Sequence, residues 1–368
     1  MAILNRPLRV MHIISGDLWA GAEVQAFTLL QQLQSNVQLH VIVLNNGELS
    51  QRLEALSIAV TIVPESELSS VDIIREFSRI IREFEPDILH THRQKENIFG
   101  SIANCWAAIF RGKRAKSLRT THGAPEFAPQ GKQRIQVWLD NFVGRHVQQA
   151  VIAVSEELAL KLATIFPTKK IHIIRNGVNQ ANLLAQATEA DFRTHYPQHM
   201  HIGIVGRIEP VKRVDIFLDA ATLLIHQLPS HQLLRFHVIG DGNLKATMEA
   251  KAQQLGLSEH IQFHGHRKDM ASCIKSLDVI VMCSDHEGTP MTALEAMALG
   301  TPLIAHDTGG LKDILRDYPQ LLVSDHSPEG YAKTIGAILA LGDTSVNLHP
   351  SYSAEQNVKD TLKLYNML

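Results

Sequence analysis

At 368 residues the chain is longer than one hydrophobic core usually serves, so two domains are expected. Apolar residues make up 45% of it, as in ordinary globular proteins, and no apolar run approaches the roughly 18 to 20 residues of a membrane-crossing helix. A formal net charge of −2 excludes strong overall attraction to nucleic acid, and no nucleic-acid partner is expected. Cys105, Cys273 and Cys283 are too few and too scattered for a disulfide framework or a structural zinc site. The first residues lack the charged start, apolar core and cleavage site of a secretion signal, so a reducing cytoplasm is the expected compartment.

Short β-branched runs alternate with helical segments from end to end, which predicts an α/β fold with parallel sheets. In the first half, strands are expected at 9–14, 39–44, 88–91, 117–121, 150–154 and 171–175. Between 179 and 201 the pattern fades into Ala-, Gln- and Thr-rich sequence ending in Tyr196-Pro197, which reads as a linker with a short helix. A first domain is therefore expected at 1–196. A second series of strands at 201–205, 235–239, 261–263, 279–282 and 303–305, followed by a helix at 330–341, predicts a second domain at 197–345. The tail, 346–368, carries a last amphipathic helix near 354–364.

In open parallel sheets ligands bind beyond the carboxyl ends of strands, so the loops there are the candidate sites. After the strand at 201–205, Gly206-Arg207-Ile208-Glu209-Pro210-Val211-Lys212 puts two cations just past a strand end. Arg207 offers a planar fork of donors and Lys212 a flexible point charge; together they suit a diphosphate, although alone they read more readily as a solvated loop with ordinary surface cations. After the strand at 279–282 the chain runs from Cys283 through Glu287, Gly288, Thr289, Pro290 and Met291 to Glu295 and Gly300. Thr289 is expected to cap a helix, Pro290 to occupy its first turn and Gly300 to end it. The unpaired N–H groups of that turn would form an anion site, flanked by Glu287 and Glu295. A carboxylate beside a diphosphate is repelled unless it accepts hydrogen bonds from neutral hydroxyls, so ribose or sugar hydroxyls are its expected partners.

Glu287 and Glu295, with seven residues between them in Glu-Gly-Thr-Pro-Met-Thr-Ala-Leu-Glu, resemble the Glu-x7-Glu element of the retaining glycosyltransferases in the "glycosyl transferases group 1" family, numbered four in the usual classification. The 206–212 segment resembles that family's pyrophosphate cradle. Ile239-Gly240-Asp241-Gly242, Phe263-His264-Gly265 and Gly309-Gly310 are similar to its next landmarks, in the same order. The resemblance implies the GT-B fold, two Rossmann-like doubly wound domains facing a central cleft. The first would bind the acceptor and the second the nucleotide sugar, with the last helix packing back on the first. It further implies Arg207 and Lys212 on the diphosphate, Glu295 on the ribose hydroxyls and Glu287 on the donor sugar. Backbone at Gly288, Thr289, Pro290 and Met291 would touch phosphate or sugar. In the first half, the loop from Gly16 to Gly21 resembles the glycine loop after the family's first strand, which places Gly21 near the donor and Glu23 at a helix start; Ala20-Gly21 stands where many relatives have two glycines. Thr121-His122-Gly123 resembles the site of a histidine beside the transferred sugar, which makes His122 an orienting hydrogen-bond partner. Asn176-Gly177-Val178 resembles the turn that ends the first domain.

The implied reaction is retaining transfer of a hexosyl group from a nucleoside-diphosphate sugar to a hydroxyl, with UDP preferred on frequency alone. No metal and no cofactor are expected, because Arg207, Lys212 and a helix N-terminus would hold the leaving group, with His122 and Glu287 at the sugar. The rivals are an epimerase or phosphorylase on the same fold, and a catalytically silent sugar-nucleotide-binding protein, which the intact Arg207, Lys212, Glu287 and Glu295 disfavour. His90-Thr91-His92 and His264-Gly265-His266 pair imidazoles at alternate positions, but a chain with 20 histidines makes such pairs by chance, and they are expected to cap strand ends. Gly240-Asp241-Gly242 lacks the third glycine of a dinucleotide fingerprint. Finally, residues 97–125 contain no acid, while Arg111, Lys113, Arg114, Lys116 and Arg119 follow Trp106, Ile109 and Phe110. This segment is either a solvated loop with its aromatics in the core or a contact with anionic membrane. The second reading implies a lipid-linked or lipopolysaccharide-type acceptor at the cytoplasmic face.

Overall fold

The β-branched runs form two all-parallel sheets in the computed structural model, which describes residues 6–123, 131–227, 233–342 and 344–368. The first sheet contains β1 (Arg9–Ile14), β2 (Gln38–Val43), β3 (Ala59–Ile62), β4 (Ile88–Thr91), β5 (Lys116–Thr121), β6 (Ala150–Ala153) and β7 (Ile171–Ile173). Their order is β3-β2-β1-β4-β5-β6-β7. The second contains β8 (Met200–Val205), β9 (Leu234–Ile239), β10 (Ile261–Gly265), β11 (Val279–Met282), β12 (Leu303–His306) and β13 (Leu322–Val323), in the order β10-β9-β8-β11-β12-β13. In each sheet the order reverses beside the first strand, between β1 and β4 and between β8 and β11, and this is where a doubly wound sheet opens a crevice. Two strands were not legible as such in the sequence, β3 and β13. Both lie at sheet edges and are short, so neither shows the apolar run of a strand buried on both faces.

Helices cover both faces of the first sheet. On one side Leu29, Leu30 and Leu33 of helix Gly21–Leu33 share a core with Val358 and Leu364 of the final helix, Ala354–Met367. On the other, Ile73, Phe77 and Ile81 of helix Ser70–Phe84 pack with Ala103 and Ala107 of helix Gln94–Arg111. Among the described residues no helix is long and apolar enough to cross a membrane.

The chain divides into two compact units, Met1–Gly177 with Ala354–Leu368, and Val178–Ser353. The division therefore lies at 177/178 and not at 196/197, and 346–353 belong to the second unit. The expected linker is in fact two helices, Gln180–Gln186 and Asp191–His195, held to the second unit by side chains remote in sequence. Phe192 is buried, its ring 4.3 Å from that of His237. Arg193 forms a forked ion pair with Asp278 at 2.6 and 3.0 Å. The Ser272 and Ser276 hydroxyls accept from Thr188 N and Ala190 N at 3.0 and 2.8 Å. A linker residue of ordinary exposure would tolerate truncation within about 0.5 kcal/mol, whereas emptying a buried ring site costs about 3 to 5 kcal/mol. Urea unfolding of Phe192→Ala is expected to show the larger loss, and a shift in the smaller range would return this segment to the role of a linker.

Candidate active site

The loops beyond β8, β9, β11 and β12 are locked together by backbone approaching backbone. A Cβ on Gly240, where φ is +145°, would lie 1.9 Å from the carbonyl oxygen of Gly206. One on Gly309, where φ is +55°, would lie 1.9 Å from Glu287 O, and one on Gly310 the same distance from Gly288 O. Gly310 N also donates to Gly288 O at 2.8 Å, and Asp285 N donates to Val211 O at 2.9 Å. Gly309 and Gly310 thus seat helix Gly309–Ile314 on the loop that carries Glu287, a reason for two glycines that the sequence did not disclose.

These contacts bring two of the candidates together. Lys212 Nζ donates to Glu287 Oε1 at 2.5 Å, and the buried Ser284 hydroxyl donates to the same oxygen at 2.6 Å. One carboxylate oxygen is thereby saturated, while Lys212 keeps donors for a second partner. Arg207 is exposed, with no partner among the described residues. Gly206, Arg207, Lys212 and Ser284 rim a depression floored by Val238 and Met282. Ser284 was missed in the sequence because a serine after a strand has no distinguishing signal until its neighbours are known.

Helix Met291–Leu299 begins one residue later than expected. Pro290 itself is the N-cap, no side chain caps the helix, and Thr289 is buried in the loop before it. Gly300 ends the helix in the left-handed conformation at φ +74°. The first intrahelical bond runs from Ala293 N to Pro290 O, which leaves the N–H groups of Met291 and Thr292 ahead of it. The Met291 side chain is buried, so only its backbone can serve a ligand. Glu295, one turn on, makes no hydrogen bond or ion pair among the described residues, and desolvation raises its carboxyl from 4.5 to about 7.

Gly21 and His122 belong to the first unit. Gly21 is the exposed first residue of its helix, and a Cβ there would meet nothing within 4 Å, so packing does not demand glycine. Glu23 is buried and engaged by Arg93, which also pairs with Asp17 at 2.9 Å. Burial lowers His122 to about 4, and its Nε2 lies 3.3 Å from His92 Nδ1. His90 and His92 do not cap strands. With His12 they form a buried cluster whose ligand-capable atoms lie within 4.8 Å of one another. The half-buried His264 likewise joins a row with the buried His237 and His201.

Arg119 is not part of a basic surface. It is 2% exposed, paired with Asp140 at 2.7 Å and laid over the ring of Phe166, because β5 carries it inward. Arg114 and Lys116 are exposed, and Lys113 is exposed while lying 3.8 Å from Asp87. Arg111 is half-buried and donates to Pro86 O. Residues 124 and 125 of the acid-free stretch lie outside the described ones. The apolar neighbours are not in the core: Ile109 and Phe110 are 77% and 65% exposed, and Ile102 and Trp106 lie on the same helix stripe. The adjoining helix Lys132–His146 exposes Ile135, Trp138 and Phe142 at helical spacing.

Residues 188–352 match the family model described as "Glycosyl transferases group 1", and 19–182 match "Glycosyltransferase Family 4". The chain belongs to the group 1 glycosyltransferases. It is 30% identical over 281 residues to the D-inositol 3-phosphate glycosyltransferase of Jonesia denitrificans, a stretch spanning 71% of this chain and 64% of that one. It is 26% identical over 333 residues to the UDP-Gal:alpha-D-GlcNAc-diphosphoundecaprenol alpha-1,3-galactosyltransferase of Escherichia coli, with 84% and 82% covered. Among solved structures, Anabaena HepE in complex with UDP-glucose aligns with a TM-score of 0.82 at 16% identity, over 98% of this chain and 100% of that one. That likeness establishes the fold, two Rossmann-like domains of the GT-B class.

In the glycosyltransferase the two glutamates are in opposite states. Glu287 is supplied with donors, and Glu295 is deprived of them. A carboxyl that binds its proton more tightly folded than unfolded contributes stability that is present below the unfolded pKa and lost as pH rises through the folded one, here from about 4.5 to about 7. Glu295→Gln is expected to stabilise the ligand-free enzyme at pH 8 by at most about 3 kcal/mol, seen as a higher melting temperature, and to leave its stability unchanged at pH 4. An equal effect at both pH values would mean that the carboxyl is solvated.

Proposed function

We propose that this enzyme transfers a hexosyl group from a UDP-sugar to a hydroxyl of a lipid-linked or lipopolysaccharide-type saccharide, with retention of configuration and without a metal ion. The observation that carries the donor reading is Lys212 held against Glu287 beside an unpartnered Arg207, all at the carboxyl ends of β8 and β11. Arg207 and Lys212 neutralise the departing diphosphate, and the backbone N–H groups of Gly288, Met291 and Thr292 receive its oxygens. Glu287, with one oxygen saturated by Lys212 and Ser284, offers the other to a hydroxyl of the donor sugar. Glu295, which lacks any donor, takes the ribose hydroxyls. His122 orients the transferred sugar and Gly21 lets the first loop approach it. HepE in its complex with UDP-glucose supports a UDP-linked donor, and the name of the Escherichia coli relative supports a diphosphate-lipid-linked acceptor. Retention rests on the Glu-x7-Glu resemblance.

The double variant Arg207→Ala, Lys212→Ala is expected to lose transfer by at least about a hundredfold, the usual scale for removing transition-state charge stabilisation. Loss of the exposed Arg207 should change stability little; Lys212 is only 21% exposed and paired with Glu287, so the double variant is required to keep a wild-type circular dichroism spectrum. In the wild type, UDP should raise the melting temperature, and activity should persist in EDTA. Near-wild-type turnover in the double variant sinks the donor site, and rescue of EDTA-treated enzyme by magnesium or manganese sinks its metal-free form.

The acceptor reading rests on the exposed apolar stripes of helices Gln94–Arg111 and Lys132–His146, beside Lys113, Arg114 and Lys116. Large apolar side chains in water are unfavourable unless a partner covers them, and flanking cations select an anionic one. We assign this surface to the cytoplasmic face of an anionic membrane. Co-sedimentation with vesicles containing phosphatidylglycerol is expected at low salt, to fall as salt rises, and to fall further in Trp106→Ser, Trp138→Ser. Protein that stays in the supernatant at low salt removes the membrane reading and makes a soluble acceptor the better one.

A further inference from the structure

Behind His122 lies a single file of buried hydrogen bonds that the proposed chemistry does not use. His122 Nε2 meets His92 Nδ1 at 3.3 Å, and His92 Nε2 meets His12 Nδ1 at 3.0 Å. His12 Nε2 meets the hydroxyl of Tyr365, on the final helix, at 3.1 Å. The same hydroxyl meets His90 Nδ1 at 2.6 Å, and His90 Nε2 meets the Thr120 hydroxyl at 2.7 Å. His12, His90, Thr120 and Tyr365 are all buried, as is His92. At the other end His122 Nδ1 is buried without a partner among the described residues.

Burial holds His12 down to about 3, His122 to about 4, and His90 and His92 well below the usual value, so each ring is neutral and carries one hydrogen. A neutral imidazole that donates through one nitrogen accepts through the other. Along the histidines the bonds therefore point the same way; only the Tyr365 hydroxyl, which can accept twice, could break the file, and its own hydrogen would then be buried with no acceptor among the described residues. If the file points toward Thr120, the Thr120 hydroxyl accepts from His90, and its own hydrogen is buried with no acceptor among the described residues. If it points toward His122, Thr120 donates to His90, His90 to Tyr365, Tyr365 to His12, His12 to His92, and His92 to His122 Nε2. Among the described residues this direction leaves one unpaired group, the hydrogen on His122 Nδ1, whereas the reverse leaves two, the Thr120 hydrogen and the His122 Nδ1 lone pair.

We infer that Thr120, His90, Tyr365, His12 and His92 are positioning residues that hold His122 in its Nδ1–H tautomer, so that it presents a hydrogen-bond donor to an oxygen of the ligand. That the oxygen belongs to the transferred sugar rests on the function proposed above; the tautomer does not. The second unit holds a natural contrast. There His201 Nε2 lies 2.9 Å from the carbonyl of Tyr196, which can only accept, and His237 and His264 follow at 2.9 Å each. That row is anchored by a carbonyl and is fixed in the Nε2–H form.

The tautomers are read by long-range proton–nitrogen NMR on the full chain labelled with 15N-histidine, without donor or acceptor, His122 being assigned by its loss in His122→Gln. The expected wild-type spectrum shows His122, His92, His12 and His90 as Nδ1–H and the His201 row as Nε2–H. Tyr365→Phe removes one hydroxyl from the middle of the file and keeps the ring. It should move His122 toward the Nε2–H form, while the His201 row stays unchanged. Thr120→Val cuts the far end and makes the same test should Tyr365→Phe not fold. The inference is overturned by an Nε2–H His122 in the wild type, or by an unmoved His122 in a folded variant. Stoichiometric metal on the purified protein that His12→Ala abolishes would also overturn it, since a nitrogen bound to metal cannot share a hydrogen. As no substrate enters the measurement, it is decided separately from the transferase reading.

Discussion

Close approach of main chain to main chain at the strand ends of the second unit is the constraint on which its site depends. Gly240 lies against Gly206, and Gly309 and Gly310 lie against Glu287 and Gly288, at separations where a Cβ would overlap a carbonyl oxygen. A backbone oxygen in a hydrogen-bonded loop cannot rotate aside as a side chain can, so the loops are fixed relative to one another. That is why Lys212, at the end of one loop, meets Glu287 in another although 75 positions separate them. The glycines contribute no chemistry, yet they set where the charged groups stand.

The charges so placed are not balanced within the protein itself. Glu287 has Lys212 and Ser284, but Arg207 faces solvent unpaired and Glu295 is desolvated without a donor. A diphosphate joined to hydroxyl-bearing sugars has the complementary groups, anionic oxygens for the cations and neutral donors for the acid. Sites that keep groups waiting in this way give up some stability of the free protein in exchange for binding.

The first unit is organised differently. Its polar interior is the histidine file closed by Tyr365, so the final fifteen residues reach into the same sheet as His12, His90 and Thr120. His12, His90 and His92 tolerate this burial as neutral imidazoles because each gives and takes one hydrogen bond. Arg119 is accommodated by the same rule, its charge met by Asp140 and its fork shared with Gln148.

Sequence alone determined the alternation of strands and helices, the parallel sheets and the loops that bear Arg207, Lys212, Glu287 and Glu295. Apolar periodicity and strand-end glycines are local signals, legible without neighbours. It also singled out His122, through the motif around it. Tertiary structure alone decided that residues 178–196 pack on the second unit, because Phe192 and Arg193 find their partners far along the chain. It alone removed Arg119 from the surface, exposed Trp106 and Phe110, made Pro290 and not Thr289 the helix cap, and supplied Ser284 to Glu287. Burial and hydrogen bonding are properties of pairs of residues, and a pair separated by tens or hundreds of positions leaves no mark on either member's local sequence.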